Sequence, residues 1–284
     1  MDKYPKISIV TISYNQADFL EQTILSVLGQ NYPNLEYIII DGGSTDQSVN
    51  IIRKYEKSLA FWVSEKDNGM YEALQKGFKK STGEIMGWIN SDDLLLGNSL
   101  FVLASIFSEN PNCNWLEGTN TVVDESGKII NQSFPYNTTK YCFYKWNFLN
   151  NEKNNIRSFG TLQQESTYWR RSLWEKSGSK LDVSLKTAGD FELWMRFFRS
   201  DSLFLTKSQI GAFRSRTMQK SIAQKDVYLE ESIAVINREL KLLGDDDLKI
   251  LKNLKRIERF PFLNKVNGIR KYYSKHMTSD NLIE

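Results

Sequence analysis

Four short apolar runs constrain this chain most: "ISIVTI" (7–12), "LEYIII" (35–40), "AFWVS" (60–64) and "EIMGWIN" (84–90). They are rich in Ile, Val and aromatic residues and lack the polar alternation of a strand with one wet face. Such runs suit strands covered on both sides. Helical spacing separates them. Leu20, Ile24, Val27 and Leu28 share one face, with Asp18 near the start and Gly29 at the end. A second helix is expected through Ile52 and Tyr55, capped by Ser44 or Thr45. A third is expected over 70–81, with Lys79 and Lys80 near its C-terminus, and a fourth from Leu100 to Ser108. Strands alternating with helices predict a parallel α/β sheet.

In such a sheet, ligands bind beyond the carboxyl ends of the strands. Those ends carry Tyr14 and Asn15, then Asp41, then Glu65 and Asp67, then Asn90, Asp92 and Asp93. Asp41, in "DGGSTD", reads as the start of a Gly-Gly turn and equally as a carboxylate able to accept an N–H from a nucleobase. Asp92 and Asp93 read as an exposed turn favoured by the dipole of the next helix. They read also as oxygen ligands for a hard cation that bridges to substrate phosphates.

The pattern changes near residue 115. "WLEGTNTVV" and "GKIINQSF", joined by "DESG", predict a hairpin. Residues 147–158 read as a polar loop, and helices are expected over 170–176 and from Asp190 to Phe198. Asp190 suits a helix N-cap and Glu192 a first-turn acid; Trp194 suits either the core or a platform for a sugar ring. Arg214, Arg216 and Lys220 in "RSRTMQKS" read as a solvated basic turn unless a phosphate site lies nearby. After Ser221 the chain reads as helical and basic, and its Lys249–Lys275 stretch suits a solvated helix face or contact with an anionic membrane surface.

Composition narrows the chemistry. His276 is the only histidine, so a Ser-His-Asp triad or a histidine-rich metal site would need that one residue. Cys113 and Cys142 form no CxxC pair and read as reduced cytoplasmic thiols. Carboxylates, a bound hard metal, or both are left to carry any catalysis. The chain has no phosphate-binding G-x-x-x-x-G-K-[ST] and no G-x-G-x-x-G after its first strand. A net charge of +3 gives no case for nucleic acid. The N-terminus reads as entering a strand directly rather than as a signal peptide, and no run approaches the ~20 apolar residues of a membrane span.

Several ordered segments together resemble one family. "ISIVTISYNQADFLEQTILSVLGQNYPNLEYIIIDGGSTDQSVNII", "SEKDNGMYEALQKGFKKSTGEIMGWINSDDLLL", "QQESTYWRRSLWEKSG" and "AGDFELWMRF" are similar to family 2 glycosyltransferases of the bacterial polysaccharide type, over about residues 6–222. The resemblance implies a GT-A fold: a Rossmann-like α/β domain with a mostly parallel sheet flanked by helices. That domain would span 1–221, with a nucleotide-binding half (1–112) and an acceptor half (113–221), followed by a helical basic extension over 222–284.

It implies an inverting, metal-dependent transfer of a sugar from a nucleotide-diphosphate donor, most often a UDP-sugar. The acceptor would be a hydroxyl of a glycan or lipid-linked molecule in surface polysaccharide synthesis. By position, Asp190 matches the general base. Thr11, Tyr14, Asp41, Asp67, Asp92, Arg214 and Lys220 fall to the donor, with Arg216 beside them. Asp92 and Asp93 fall to Mn²⁺ or Mg²⁺, and Trp194, Gln164 and Glu165 to the acceptor. Asn90 stands where many members carry an acid, Gly189 precedes Asp190 where a second acid is common, and the loop at 214–221 has no histidine. The expected location is cytoplasmic, at the inner membrane face, with peripheral contact through the basic extension. A nucleotidyltransferase acting on sugar phosphates and a non-catalytic carbohydrate-binding protein of the same fold are the competing readings.

Overall fold

A computed structural model describes residues 4–135, 138–145, 162–216, 224–260, 262–263, 266–279 and 281–283. The four apolar runs are β1 (Ile7–Ser13), β2 (Leu35–Asp41), β3 (Phe61–Ser64) and β4 (Ile85–Asn90). Between and after them come α1 (Ala17–Leu28), α2 (Ser48–Tyr55), α3 (Met70–Lys80), the short strand β5 (Leu94–Leu95) and α4 (Ser99–Glu109). The second half adds β6 (Trp115–Glu117), β7 (Asn120–Val123), β8 (Ile129–Ser133), α5 (Lys140–Tyr144), β9 (Thr167–Arg170), α6 (Arg171–Lys176), α7 (Gly189–Ser200), β10 (Phe204–Thr206) and β11 (Gly211–Arg214). The chain then runs through α8 (Lys225–Leu240), α9 (Asp245–Arg259), α10 (Asn267–Met277) and β12 (Leu282–Ile283).

The large sheet has the order β12-β10-β6-β9-β4-β1-β2-β3. Its pairs are parallel except where β9 meets β4 and β6, so β9 alone runs against the rest. This is the expected mostly parallel α/β sheet. A smaller sheet, β5-β11-β7-β8, packs beside it.

Period-two alternation sorts each strand between two cores. Ile7, Ile9, Tyr37, Ile39, Ile85 and Ile89 face α1 and α4. Val10, Ile12, Ile38, Ile40, Met86 and Trp88 face α3, α6 and α7. Gly77 lets α3 close onto the sheet, because a Cβ there would lie 2.4 Å from Val10 Cγ1. Val235, Ile236, Leu251, Leu254 and Met277 of the last three helices join the second core, so these helices pack directly on the α7 side.

Three local expectations change. The predicted hairpin is shorter: β7 and β8 form it, but β6 turns away at Gly118 and pairs with β9 and β10 in the large sheet. A Cβ at Gly118 would lie 2.7 Å from Ile210 Cγ1, so the chain can turn there only with a glycine. Ser44 and Thr45 do not cap α2, which starts later with no side-chain cap. Trp194 belongs to the core. It is 2% exposed and stacks between Trp88 (5.7 Å, 14°) and Trp115 (5.9 Å, 25°), so both ring faces are covered. The polar loop expected over 147–158 lies outside the described residues.

Trp194→Ala would empty the centre of this stack. We expect it to cost about 3–5 kcal/mol of stability, measured by urea denaturation.

Candidate active site

The carboxyl ends of β1, β2, β3 and β4 form one edge, and buried acids organise it. Asp41 closes β2 and is fully buried. Its Oδ2 accepts from Gly43 N (3.1 Å), Ser44 N (2.8 Å) and Ser64 Oγ of β3 (2.6 Å), and its Oδ1 accepts from Ser44 Oγ (2.5 Å). A carboxylate has room for about four such donors. Ser44 is therefore spent on Asp41 and on the amide of Asn15 (2.8 Å), which explains its absence from the cap of α2.

Asn15, at φ +52°, accepts the Thr45 amide (2.8 Å) and so ties the β1 and β2 loops together. Thr11 is buried and bonded to Tyr37 Oη (3.0 Å), whereas Tyr14 is 55% exposed over the edge. Asp67 accepts from Gly69 N (2.9 Å), and a Cβ on Gly42 would lie 2.7 Å from its Oδ2. The glycine at 42 leaves room for the Asp67 carboxylate where the β2 and β3 loops meet.

The acidic turn after β4 splits its two carboxylates. Asp93 is 2% exposed and points inward. It accepts from Arg214 N (2.8 Å) and Asn90 Nδ2 (3.0 Å) and pairs with the buried Glu165. Burial raises both carboxyls, Asp93 well above the usual range and Glu165 to about 7. Asp93, expected at the metal beside Asp92, faces the core and is held there by Arg214 N and Asn90. Asp92 is at the surface of the same turn. Arg216 donates to its Oδ2 and also bonds Gln16 Oε1 (3.2 Å).

Arg214, expected at the donor, is held within the fold. Its side chain is buried and donates to the carbonyls of Asp92 (2.6 Å) and Glu125 (2.6 Å) and to Gln22 Oε1 (3.0 Å). It joins the acidic turn to α1 and to the β7–β8 hairpin. Gln164 and Glu165 are likewise internal. The Gln164 amide bonds the Trp88 carbonyl and Asn90. With Trp194 stacked in the core, none of the three residues expected at the acceptor offers a free face as folded here. Lys220 lies outside the described residues.

Asp190 sits in the first turn of α7, and its Oδ1 accepts from Phe191 N (2.7 Å). Tyr71 Oη is 3.5 Å away. Burial raises its pKa to about 6, against the pull of these donors. Glu165 feels the charges of both Asp92 and Asp190, so both acids lie near it.

Among the described residues no three acids or histidines converge as a protein-made metal cage. The donor set fits another kind of site. Mg²⁺ and Mn²⁺ bind through one or two carboxylates, waters and substrate phosphates. Asp92, partly exposed and already holding a cationic guanidinium, supplies that single carboxylate.

The family model described as "Glycosyl transferase family 2" matches residues 8–170, and the chain belongs to that family. An uncharacterised glycosyltransferase of Rickettsia prowazekii is 28% identical over 232 residues, covering 79% of this chain and 69% of its own. The poly-beta-1,6-N-acetyl-D-glucosamine synthase of Staphylococcus epidermidis is 27% identical over 184 residues, 63% of this chain and 44% of the synthase. Against two Mycobacterium tuberculosis glycosyltransferases the match spans only 37% of the relative's length.

Among solved structures, S. aureus TarS 1-349 in complex with UDP-GlcNAc superposes with a TM-score of 0.67 at 19% identity, covering 95% of this chain and 79% of that one. The mannosyltransferase PcManGT of Pyrobaculum calidifontis, in complex with GDP-Man and Mn²⁺, gives 0.54 at 15% identity, with coverage of 96% and 84%. These likenesses establish the GT-A arrangement.

Asp41→Ala would orphan buried donors from two loops. Each is worth about 1–3 kcal/mol, so denaturant unfolding should show a large loss, whereas exposed Thr45→Ala should stay within about 0.5 kcal/mol of wild type.

Proposed function

We propose that the protein transfers a sugar, with inversion, from a nucleoside diphosphate sugar to a hydroxyl of a growing glycan or lipid-linked acceptor. One observation carries this reading: Asp190, a buried carboxylate with a pKa of about 6, opens α7 near the same Glu165 that feels the charge of Asp92. A general base works best when its pKa lies near the operating pH. UDP as the carrier and surface polysaccharide synthesis as the setting are supported by the neighbours' ligands and by the named polysaccharide synthase among the relatives.

Asp190 takes the proton of the acceptor hydroxyl. The oxygen forms its bond to the anomeric carbon as the bond to the diphosphate oxygen breaks, and the electron pair leaves with the nucleoside diphosphate. Asp92 would hold Mn²⁺ or Mg²⁺ against the diphosphate, and the cation would neutralise charge developing there. Arg216 covers Asp92 in this structure and would yield it on donor binding, keeping its own charge close to the phosphates. Tyr14, exposed beside Asp41, is placed to meet the nucleoside. Asp41 is already saturated, so an incoming base N–H must displace a serine hydroxyl from it.

The acceptor reading also takes in the C-terminal helices. Among the described residues no helix is long and apolar enough to cross a membrane. Exposed Lys252, Lys255, Arg256 and Arg259 end at the exposed rings of Phe260 and Phe262. Cations beside apolar tips suit an anionic bilayer at the inner membrane face, at about 1 kcal/mol per surface cation.

A panel of UDP- and GDP-sugars with Mn²⁺ should reveal one that is turned over. Asp190→Asn should then lose about 10²–10⁴ in kcat with donor KM nearly unchanged; wild-type turnover would remove Asp190 from the chemistry. The base acts as its carboxylate, so the wild-type rate should rise with pH through about 6 and level off above it. In sedimentation assays the protein should follow vesicles containing phosphatidylglycerol, release in high salt and ignore pure phosphatidylcholine. Equal partitioning to both would contradict the membrane contact.

A further inference from the structure

The start of α7 has no cap of its own. Its N-cap position is Ala188, which has no side-chain oxygen to offer the first turn. The amides that lead into the helix are held from elsewhere. Glu231, on α8, takes the Lys186 amide on Oε1 (2.8 Å), and the Thr187 amide (2.9 Å), the Thr187 hydroxyl (2.9 Å) and the Ala188 amide (3.0 Å) on Oε2. Three successive amides and a hydroxyl thus converge on one carboxylate 43–45 residues away in sequence. Burial works against its charge, yet these donors hold its carboxyl below the usual range, so it stays ionised.

From the other side, Tyr71 of α3 donates to the Thr187 carbonyl (2.7 Å) and packs so closely that a Cβ on Gly189 would lie 2.7 Å from its ring. Residues 186–189 are clamped between Tyr71 and Glu231, and Asp190 is the next residue. A second acid before Asp190 would not fit beneath that ring, which accounts for the glycine at 189.

We propose that Glu231 is a positioning residue for the catalytic base: it fixes the segment that aims Asp190, and the C-terminal helices are part of the catalytic unit through it. The claim rests on Asp190 being the base. Asp190 is faced by Tyr71 of α3, by Tyr228 and Glu231 of α8, and by Glu165 in the turn before β9. The negative charge of Glu231 raises the Asp190 pKa; removing that charge must lower it. That titration reports the charge of Glu231; its hold on the segment is read from amide exchange and from kcat against donor KM.

The test follows Asp190 directly, by carbon NMR of protein labelled at the aspartate carboxyls, with Asp190→Asn identifying the signal. In Glu231→Gln, which keeps the size and loses the charge, Asp190 should titrate at lower pH than in wild type. The amides of residues 186–188 should exchange at least about tenfold faster, and kcat for the donor selected by the panel should fall about ten- to a hundredfold with donor KM little changed. Glu231→Asp, which restores the charge, should return the titration toward wild type, and it serves as the second variant if Glu231→Gln does not fold. A folded Glu231→Gln with wild-type exchange at residues 186–188 and wild-type kcat overturns the proposal. Asp190→Asn separates the two claims: wild-type turnover there overturns the base reading, and with it the catalytic part of this one, whatever Glu231→Gln does to the loop.

Discussion

A parallel sheet covered on both faces can show polar side chains only where its strands end. In this protein Ile7, Ile9, Val10 and Ile12 are consumed by two opposed cores, and β2 and β4 repeat the division. Asp41, Asp67 and Asp92 stand at the edge where the strands end. Donors hold the buried acids of that edge in place: four on Asp41, and an amide and an asparagine on Asp93.

Charge is handled differently at each acid. Asp93 and its partner Glu165 are both buried, and burial raises both carboxyls, Glu165 to about 7, so the pair favours taking up protons. Asp92, one residue earlier, keeps a surface oxygen and a cationic partner. Asp190 lies between these extremes, raised to about 6 by burial yet supplied with donors that prevent it from staying protonated at neutral pH. Adjacent acids in sequence therefore end in different surroundings because the turn after β4 sends Asp93 inward and leaves Asp92 partly exposed.

The strands β1–β4 and helices α1 and α3 were legible in the sequence because continuous apolar runs and helical spacing are local signals. The acids of the strand ends followed from a topological rule. What could not be read were the contacts that need two distant segments at once. Arg214 reads as part of a basic turn, and only the fold shows that its partners come from α1, the acidic turn and the β7–β8 hairpin. Trp194 looked like a sugar platform, and only the approach of Trp88 and Trp115 from separate strands shows that both its faces are taken. Glu231 gave no signal at all: in "LEESIAV" it is an ordinary helix acid until residues 186–188 fold against it.

The central claim is that the strand-end edge around Asp92 holds a nucleoside diphosphate together with a divalent cation. Mn²⁺ is paramagnetic and broadens the NMR signals of nearby amides, so titrating Mn²⁺ into labelled protein with and without UDP locates the cation directly. The account predicts broadening centred on residues 90–93, reaching 14–16 and 41–44, that needs UDP and is lost in Asp92→Asn. Broadening centred elsewhere, or unchanged by UDP and by the Asp92→Asn substitution, would contradict it.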